Sequence, residues 1–219
     1  MPAVTAYRGH IVRFDDAGKL ELLDDGIVGF DQETGKILFV EPYSSAEELA
    51  AKFHVEIIDI QQLGRFQFLM PGLVDGHAHA PQYCNCGLGV DRGLLDWLTT
   101  YTFPAETKFA DVEYARSEYQ RVVRRMLRNG TTTCVYFASI HTPASIALAE
   151  TCHSLGQRAF VGKVNMDRNS PPDYVETTAQ SLTDTRTFVS HVLAHHTPLV
   201  QPIITPRFTP TCTPELMRG

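Results

Sequence analysis

The sequence predicts an α/β fold: the first half of a (β/α)8 TIM-type barrel, preceded by part of a small β-sandwich. Three observations lead there. Residues 1–67 hold short β-rich runs separated by turn residues. From Phe68 onward, strand-length apolar runs alternate with segments of helical period, the pattern of parallel strands joined by right-handed crossovers. About 152 residues follow the β-rich segment, whereas a complete barrel takes about 250. The expected division is therefore 1–67 and 68–219, the second part holding barrel strands one to four.

The elements follow in chain order. TAYRGHIVRF alternates loosely, and GIVGF and KILFV flank DQETG, a glycine-bearing loop of hairpin length. SSAEELAAKF has room for a helical turn or more, and HVEIIDI reads as a strand. FLMPGLVDGHAH is the first barrel strand with its exit. In ADVEYARSEYQRVVRRMLRNG, Val112, Ala115, Tyr119, Val122, Val123, Met126 and Leu127 keep a helical period. Asp111 and Glu113 sit in its first turn, arginines crowd its last turns, and Asn129-Gly130 supplies a left-handed stop. TTTCVYF is the second strand. Thr142-Pro143 reads as the cap and first turn of a helix ending at Gly156. RAFVGKV is the third strand, and a helix from about 178 to 196 carries Leu182, Phe188, Val189, Val192 and Leu193 as its apolar stripe. LVQPIITPRF is the fourth strand, and Thr213-Pro214-Glu215 opens a helix just before Gly219. That abrupt end and the unclosed barrel lead to the expectation that the chain is the front part of a longer protein, poorly folded alone because its parallel edges stay open.

Composition narrows the function. The chain is 43% hydrophobic and 20% charged, as ordinary globular proteins are. A formal charge of −6 leaves no basic excess for neutralising phosphates, so a nucleic-acid partner is not expected. No apolar run approaches the roughly 18 residues of a membrane span, and no signal peptide is visible, so no membrane partner is expected. Five cysteines form no even-numbered disulfide framework, which points to a reducing, cytosolic compartment.

The chemistry concentrates at PGLVDGHAHA. In a strand, residues i and i+2 share a face, so His77 and His79 at the strand's C-terminal end can reach one ion at the barrel mouth, where barrel active sites are built. Neutral imidazoles suit zinc. Gly72 and Gly76 would let the backbone approach its neighbours. By itself an HxH pair is a weak signal, and an incidental pair is the commoner reading.

The longer string MPGLVDGHAHAPQY, opening a barrel after a small β unit, resembles the first barrel strand of the amidohydrolase superfamily. LLDWLTTYTFPAE, RVVRRMLRNGTTT, GQRAFVGKVNMD and PIITPRF together resemble the guanine aminohydrolases of that superfamily, over nearly all of the chain from about residue 66. The resemblance implies hydrolysis of guanine to xanthine and ammonia with one zinc ion per subunit. It implies His77 and His79 as metal ligands, and His79, Ala80, Pro81, Gln82, Arg207 and Phe208 as substrate-binding residues. It further implies a homodimer. The family's remaining histidine ligands, proton-shuttling glutamate and activating aspartate belong to segments after the fourth strand, so no catalytic acid or base is expected within these 219 residues. Two alternatives stay open: an aminohydrolase of a different nucleobase-like ring, and an inactive truncated product acting through interactions.

Several other residues have two readings. Cys84 and Cys86 are close to the histidines, but CxC is tighter than common zinc spacings, so buried thiols are expected. His191 and His195 could clip a metal across one helical turn or serve as exposed last-turn cations, the second being favoured. Arg121, Arg124, Arg125 and Arg128 read as a solvated face. Lys163 is expected to be structural, Asp75 a strand-end hydrogen-bond acceptor, and His141 a loop histidine with a local bond.

Overall fold

A computed structural model describes residues 1–15, 17–195 and 198–219. The chain divides into two compact units, Met1–Pro71 and Gly72–Gly219.

The first unit is a five-stranded sheet built from β1 (Ala3–Phe14), β2 (Leu20–Asp31), β3 (Ile37–Pro42), β4 (Glu56–Gln62) and β5 (Phe68–Leu69). β3, β2 and β1 are antiparallel neighbours, while β4 and β5 pair in parallel with successive halves of β1. Helix α1 (Ala46–Phe53) starts where the Ser45 hydroxyl accepts from the Glu48 amide at 3.1 Å. Its Leu49 joins Val4, Ala6, Ile27, Phe39 and Val55 in a small core. Burial of each of the larger of these side chains stabilises by about 1.5–3 kcal/mol. Phe68 and Leu69, expected to begin the first barrel strand, instead pair with β1, because Pro71 has no amide with which to continue a ladder.

The second unit holds four parallel strands: β6 (Leu73–His79), β7 (Thr131–Phe137), β8 (Arg158–Gly162) and β10 (Val200–Pro202), adjacent in that order. β9 (Val164–Asn165) and β11 (Thr205–Pro206) pair in parallel as a short continuation. Between β8 and β9 the fully buried Lys163 reaches Glu176 at 2.6 Å, a structural ion pair as expected. The close approach argued for Gly72 is real, since a Cβ there would meet the Thr132 hydroxyl at 1.8 Å. Gly76 has open space instead, so close packing is not its reason.

Helices α4 (Val112–Arg128), α5 (Thr142–Ser154) and α6 (Thr178–Ala194) connect these strands. Asp111 caps α4 by accepting from the amides of Glu113 and Tyr114. Ala115, Tyr119, Val122 and Val123 then pack with Leu148, Cys152 and Phe188 into the main core. At α5 the cap is His141, whose carbonyl accepts the Ser145 amide at 3.0 Å, and Thr142 and Pro143 occupy the first turn. On α6, Phe188 and Val192 are buried but Leu193 is 45% exposed, one position past the apolar stripe. His195 stands at the helix's C-cap and its ring meets the His191 carbonyl; His196, the expected end, lies outside the described residues. Helix α7 (Pro214–Arg218) opens as expected, with the Thr213 hydroxyl accepting from Leu216. No helix among the described residues is long and apolar enough to cross a membrane.

Candidate functional site

The end of β6 departs from a regular ladder. Asp75 is opposite Cys134 and Ala78 is opposite Tyr136, so Gly76 and His77 face a single residue of β7. This bulge re-aims the side chain that follows it. Asp75 accepts the His77 amide at 3.0 Å, the strand-end role expected of it. The Nε2 atoms of His77 and His79 converge to 3.2 Å, and both rings rest against Phe137 with centroids 4.5 and 4.9 Å away.

The pair fits a shared metal ion. Two nitrogens each about 2.05 Å from a tetrahedral zinc lie about 3.3 Å apart. The His79 ring is held neutral, its pKa pushed down to about 4 by burial and by the Arg207 charge, so one ring nitrogen has a free lone pair at neutral pH. Its Nδ1 is buried without a partner. Among the described residues, no third histidine, cysteine, aspartate or glutamate completes a group around such an ion.

After His79 the chain enters a 3-10 turn, Ala80–Asn85. Ala80, Pro81 and Asn85 take its buried side. The outer side carries Cys84 and Cys86, which are exposed rather than buried as expected. Gln82, with His77 and His79, borders an open cleft of about 730 Å³.

A helical stretch follows: α2 (Leu94–Trp97), a wider turn over Leu98–Thr102, and α3 (Phe103–Thr107). The widening has a cause in the sequence. Pro104 has no amide to donate back to Thr100, and the Phe103 amide reaches Leu98 instead. Beyond it, Glu106 is wholly buried, and sequence reasoning gave this residue no role.

Glu106 is the hub of the site. Its Oε1 accepts from Gln82 Nε2 at 2.9 Å and from an Arg207 terminal nitrogen at 3.0 Å. Its Oε2 accepts from the other Arg207 terminal nitrogen at 2.5 Å and from the Tyr174 hydroxyl at 2.8 Å. Arg207 follows β11, with its amide bonded to the Asn165 carbonyl, and its guanidinium lies 5.1 Å from the centre of the Phe103 ring. Burial works against the Arg207 charge, yet Glu106 outweighs it and the pKa is raised. Burial and the Glu106 charge hold Tyr174 neutral as a donor. Phe208 is half-buried against the cluster of Leu98, Phe103, Met166 and Tyr174.

The structure thus joins Gln82 to Arg207 through a carboxylate whose charge acts on His79, while Phe208 packs in the neighbouring apolar cluster and the His141 ring lies 5.8 Å from that of Tyr174. A signal for Glu106 existed in the sequence. It shares a helical face with Phe103 and Phe109, and a charge on an apolar face requires a partner.

Residues 68–219 match the amidohydrolase family. The chain is 47% identical to guanine deaminase of Dictyostelium discoideum over 98% of this chain and 49% of that protein. It is 48% identical to guanine deaminase of Mus musculus, over 99% of this chain and 48% of that protein. Guanine deaminase from C. acetobutylicum, solved with guanine bound in its active site, superposes with a TM-score of 0.85 at 35% identity, over 98% of this chain and 48% of that one. A triazine hydrolase variant at 19% identity and TM-score 0.77 shares the fold alone. The chain spans about half the length of the curated relatives it matches. The parallel strands, the histidine pair at the end of the first of them and the family match over most of its length agree: the chain belongs to the amidohydrolase family.

Proposed function

We propose that this chain supplies the first two metal ligands and the ring-recognition groups of a zinc-dependent guanine aminohydrolase, which converts guanine and water to xanthine and ammonia. The observation that carries it is the convergence of His77 and His79 at 3.2 Å beside Gln82 and the Arg207–Glu106 pair. Family membership implies a metal cofactor; zinc, at one ion per subunit, is the choice that imidazole nitrogens favour. When bound, it supplies Lewis-acid activation of water at the ring carbon bearing the amino group. His77 and His79 hold it, Gln82 and Arg207 address the polar edge of the purine, and Phe208 borders its face. Further ligands and the acid–base groups come from segments that follow this chain in the complete protein. Residence in the cytosol and a homodimeric state belong to the same reading.

Purified complete protein should release xanthine and ammonia from guanine, lose this activity to a chelator and regain it with zinc. His77→Ala should lower kcat by about a hundred- to a thousandfold, the scale on which removing a group that stabilises the transition state acts. Turnover of a different aminated ring, with guanine untouched, would replace the proposed substrate.

A further inference from the structure

We propose that Glu106 is a positioning residue that sets ligand specificity, presenting Gln82 and Arg207 together as a template for a lactam edge, a ring N–H beside a ring carbonyl. The inference rests on the reading of the site as a purine site and concerns how the ring is selected rather than what is done to it.

The chemistry of the hub fixes the orientation of Gln82. Glu106 is buried against a guanidinium, and its two carboxylate oxygens accept in every one of their contacts. Gln82 must therefore turn its NH2 group to Glu106, as the 2.9 Å contact has it. Its carbonyl oxygen is directed away, has no protein partner among the described residues, and belongs to a side chain bordering the cleft with His77 and His79. A neutral residue in place of Glu106 would remove that constraint, because a neutral amide both donates and accepts and Gln82 could then flip.

The same carboxylate aligns Arg207. Two of its five N–H donors are spent on Glu106, and the bidentate grip fixes the plane of the guanidinium. Gln82 Nε2 and one Arg207 terminal nitrogen end on the same oxygen, Glu106 Oε1, at 2.9 and 3.0 Å. The two recognition groups are therefore neighbours, one offering an acceptor and the other donors. A lactam edge complements that pair. An amidine edge, with a bare ring nitrogen beside an amino group, sets acceptor against acceptor and donor against donor, and such unmet buried polar groups are costly. Tyr174 supports the arrangement by donating to Glu106 Oε2 at 2.8 Å without touching either recognition group.

Hypoxanthine and adenine are suitable probes, since they differ at this edge and neither carries the amino group that guanine loses. Dissociation constants for both, measured calorimetrically on the purified complete protein, should favour hypoxanthine by about a hundredfold, the scale of leaving a pair of buried polar groups unmet. In Glu106→Gln the preference should fall to within about tenfold, mostly through weaker hypoxanthine binding, and the KM for guanine should rise more than kcat falls. Tyr174→Phe keeps the ion pair and should shift the preference the same way by a few-fold. If Glu106→Gln does not fold, Tyr174→Phe alone decides the question. An unchanged preference in the variants, or equal weakening of both ligands, would overturn the positioning role. Guanine turnover is scored separately, so a protein that prefers the lactam ring yet leaves guanine intact defeats the proposed reaction and keeps the template.

Discussion

Among the described residues, two buried ion pairs lie within the Gly72–Gly219 unit, and they are built differently. Glu106–Arg207 and Lys163–Glu176 have nearly equal N···O separations, 2.5 and 2.6 Å, and none of the four side chains is more than 6% exposed. Glu106 has all its accepting capacity engaged by Gln82, Tyr174 and both terminal nitrogens of Arg207. In the other pair, Lys163 divides its donors between Glu176 and the adjacent Val164 carbonyl, and Glu176 Oε2 is buried without a partner. Burial pushes the Lys163 pKa down and the Glu176 pKa up, each toward its neutral form. Burial of charge alone therefore does not mark a site. What separates the two is that Glu106 also holds Gln82, which borders the cleft beside the histidines, whereas the other contact of Lys163 is a backbone carbonyl.

The largest expected effect comes from breaking the saturated pair. Arg207→Met would leave the Glu106 carboxylate buried with no cation, which costs about 3–5 kcal/mol. Adding Glu106→Gln should recover part of that loss, because the uncompensated charge is then gone. Denaturant midpoints at constant slope measure both changes. A cost below about 1 kcal/mol for Arg207→Met would make this pair the weaker of the two, against the basis of the comparison.

That pair also shows how far the sequence could be read. The four strands, the long helix after Asp111 and the helix start at Thr213 were legible, because apolar period and capping chemistry are local signals. The convergence of His77 and His79 was legible too, since residues i and i+2 share a strand face. The role of Glu106 was not: a charge on an apolar face signals only that a partner is needed, and its partners come from 24, 68 and 101 residues away, distances that no local pattern records. The bulge at Gly76 and His77 was equally hidden, because simple alternation already put both histidines on one face. Cys84 and Cys86 were misread because small-thiol burial is a statistical tendency, while Pro81 and Asn85 decided which side of the 3-10 turn faces inward.

A smaller effect, opposite in sign, is expected at the second pair. Replacing both charges, Lys163→Met with Glu176→Leu, should raise stability by about 1–2 kcal/mol, since matched apolar groups often outperform a buried ion pair. The pH dependence follows from the two directions. Glu176 has a raised folded pKa, so its contribution is fully present below the unfolded carboxylate value and is lost as pH rises through the folded one. Lys163 has a lowered folded pKa, so its contribution is present above the unfolded lysine value and is lost as pH falls through the folded one. Both terms penalise the wild type in the neutral range. The double variant's advantage should therefore be greatest near neutral pH and shrink toward the acid carboxylate range. A constant advantage from acid to neutral pH would show that packing, and not charge burial, produced it.

The smallest effect belongs to a third pair of almost the same length. Arg116 on α4 meets Glu150 on α5 at 2.7 Å, but the side chains are 43% and 45% exposed. Water already solvates both groups, and holding two flexible side chains in one geometry opposes the attraction. A double-mutant cycle with Arg116→Ala and Glu150→Ala should give about 0.2–1 kcal/mol. The coupling should fall further as salt is raised to about 1 M, where the screening length is about 3 Å. Across the three pairs the N···O distance changes by only a few tenths of an ångström, so distance cannot rank them; solvent exposure and the number of other groups each charge holds in place can. A coupling at Arg116–Glu150 that matched the Arg207–Glu106 value and resisted salt would remove that distinction, and with it the reason for treating Glu106 as more than one ion-pair partner among several.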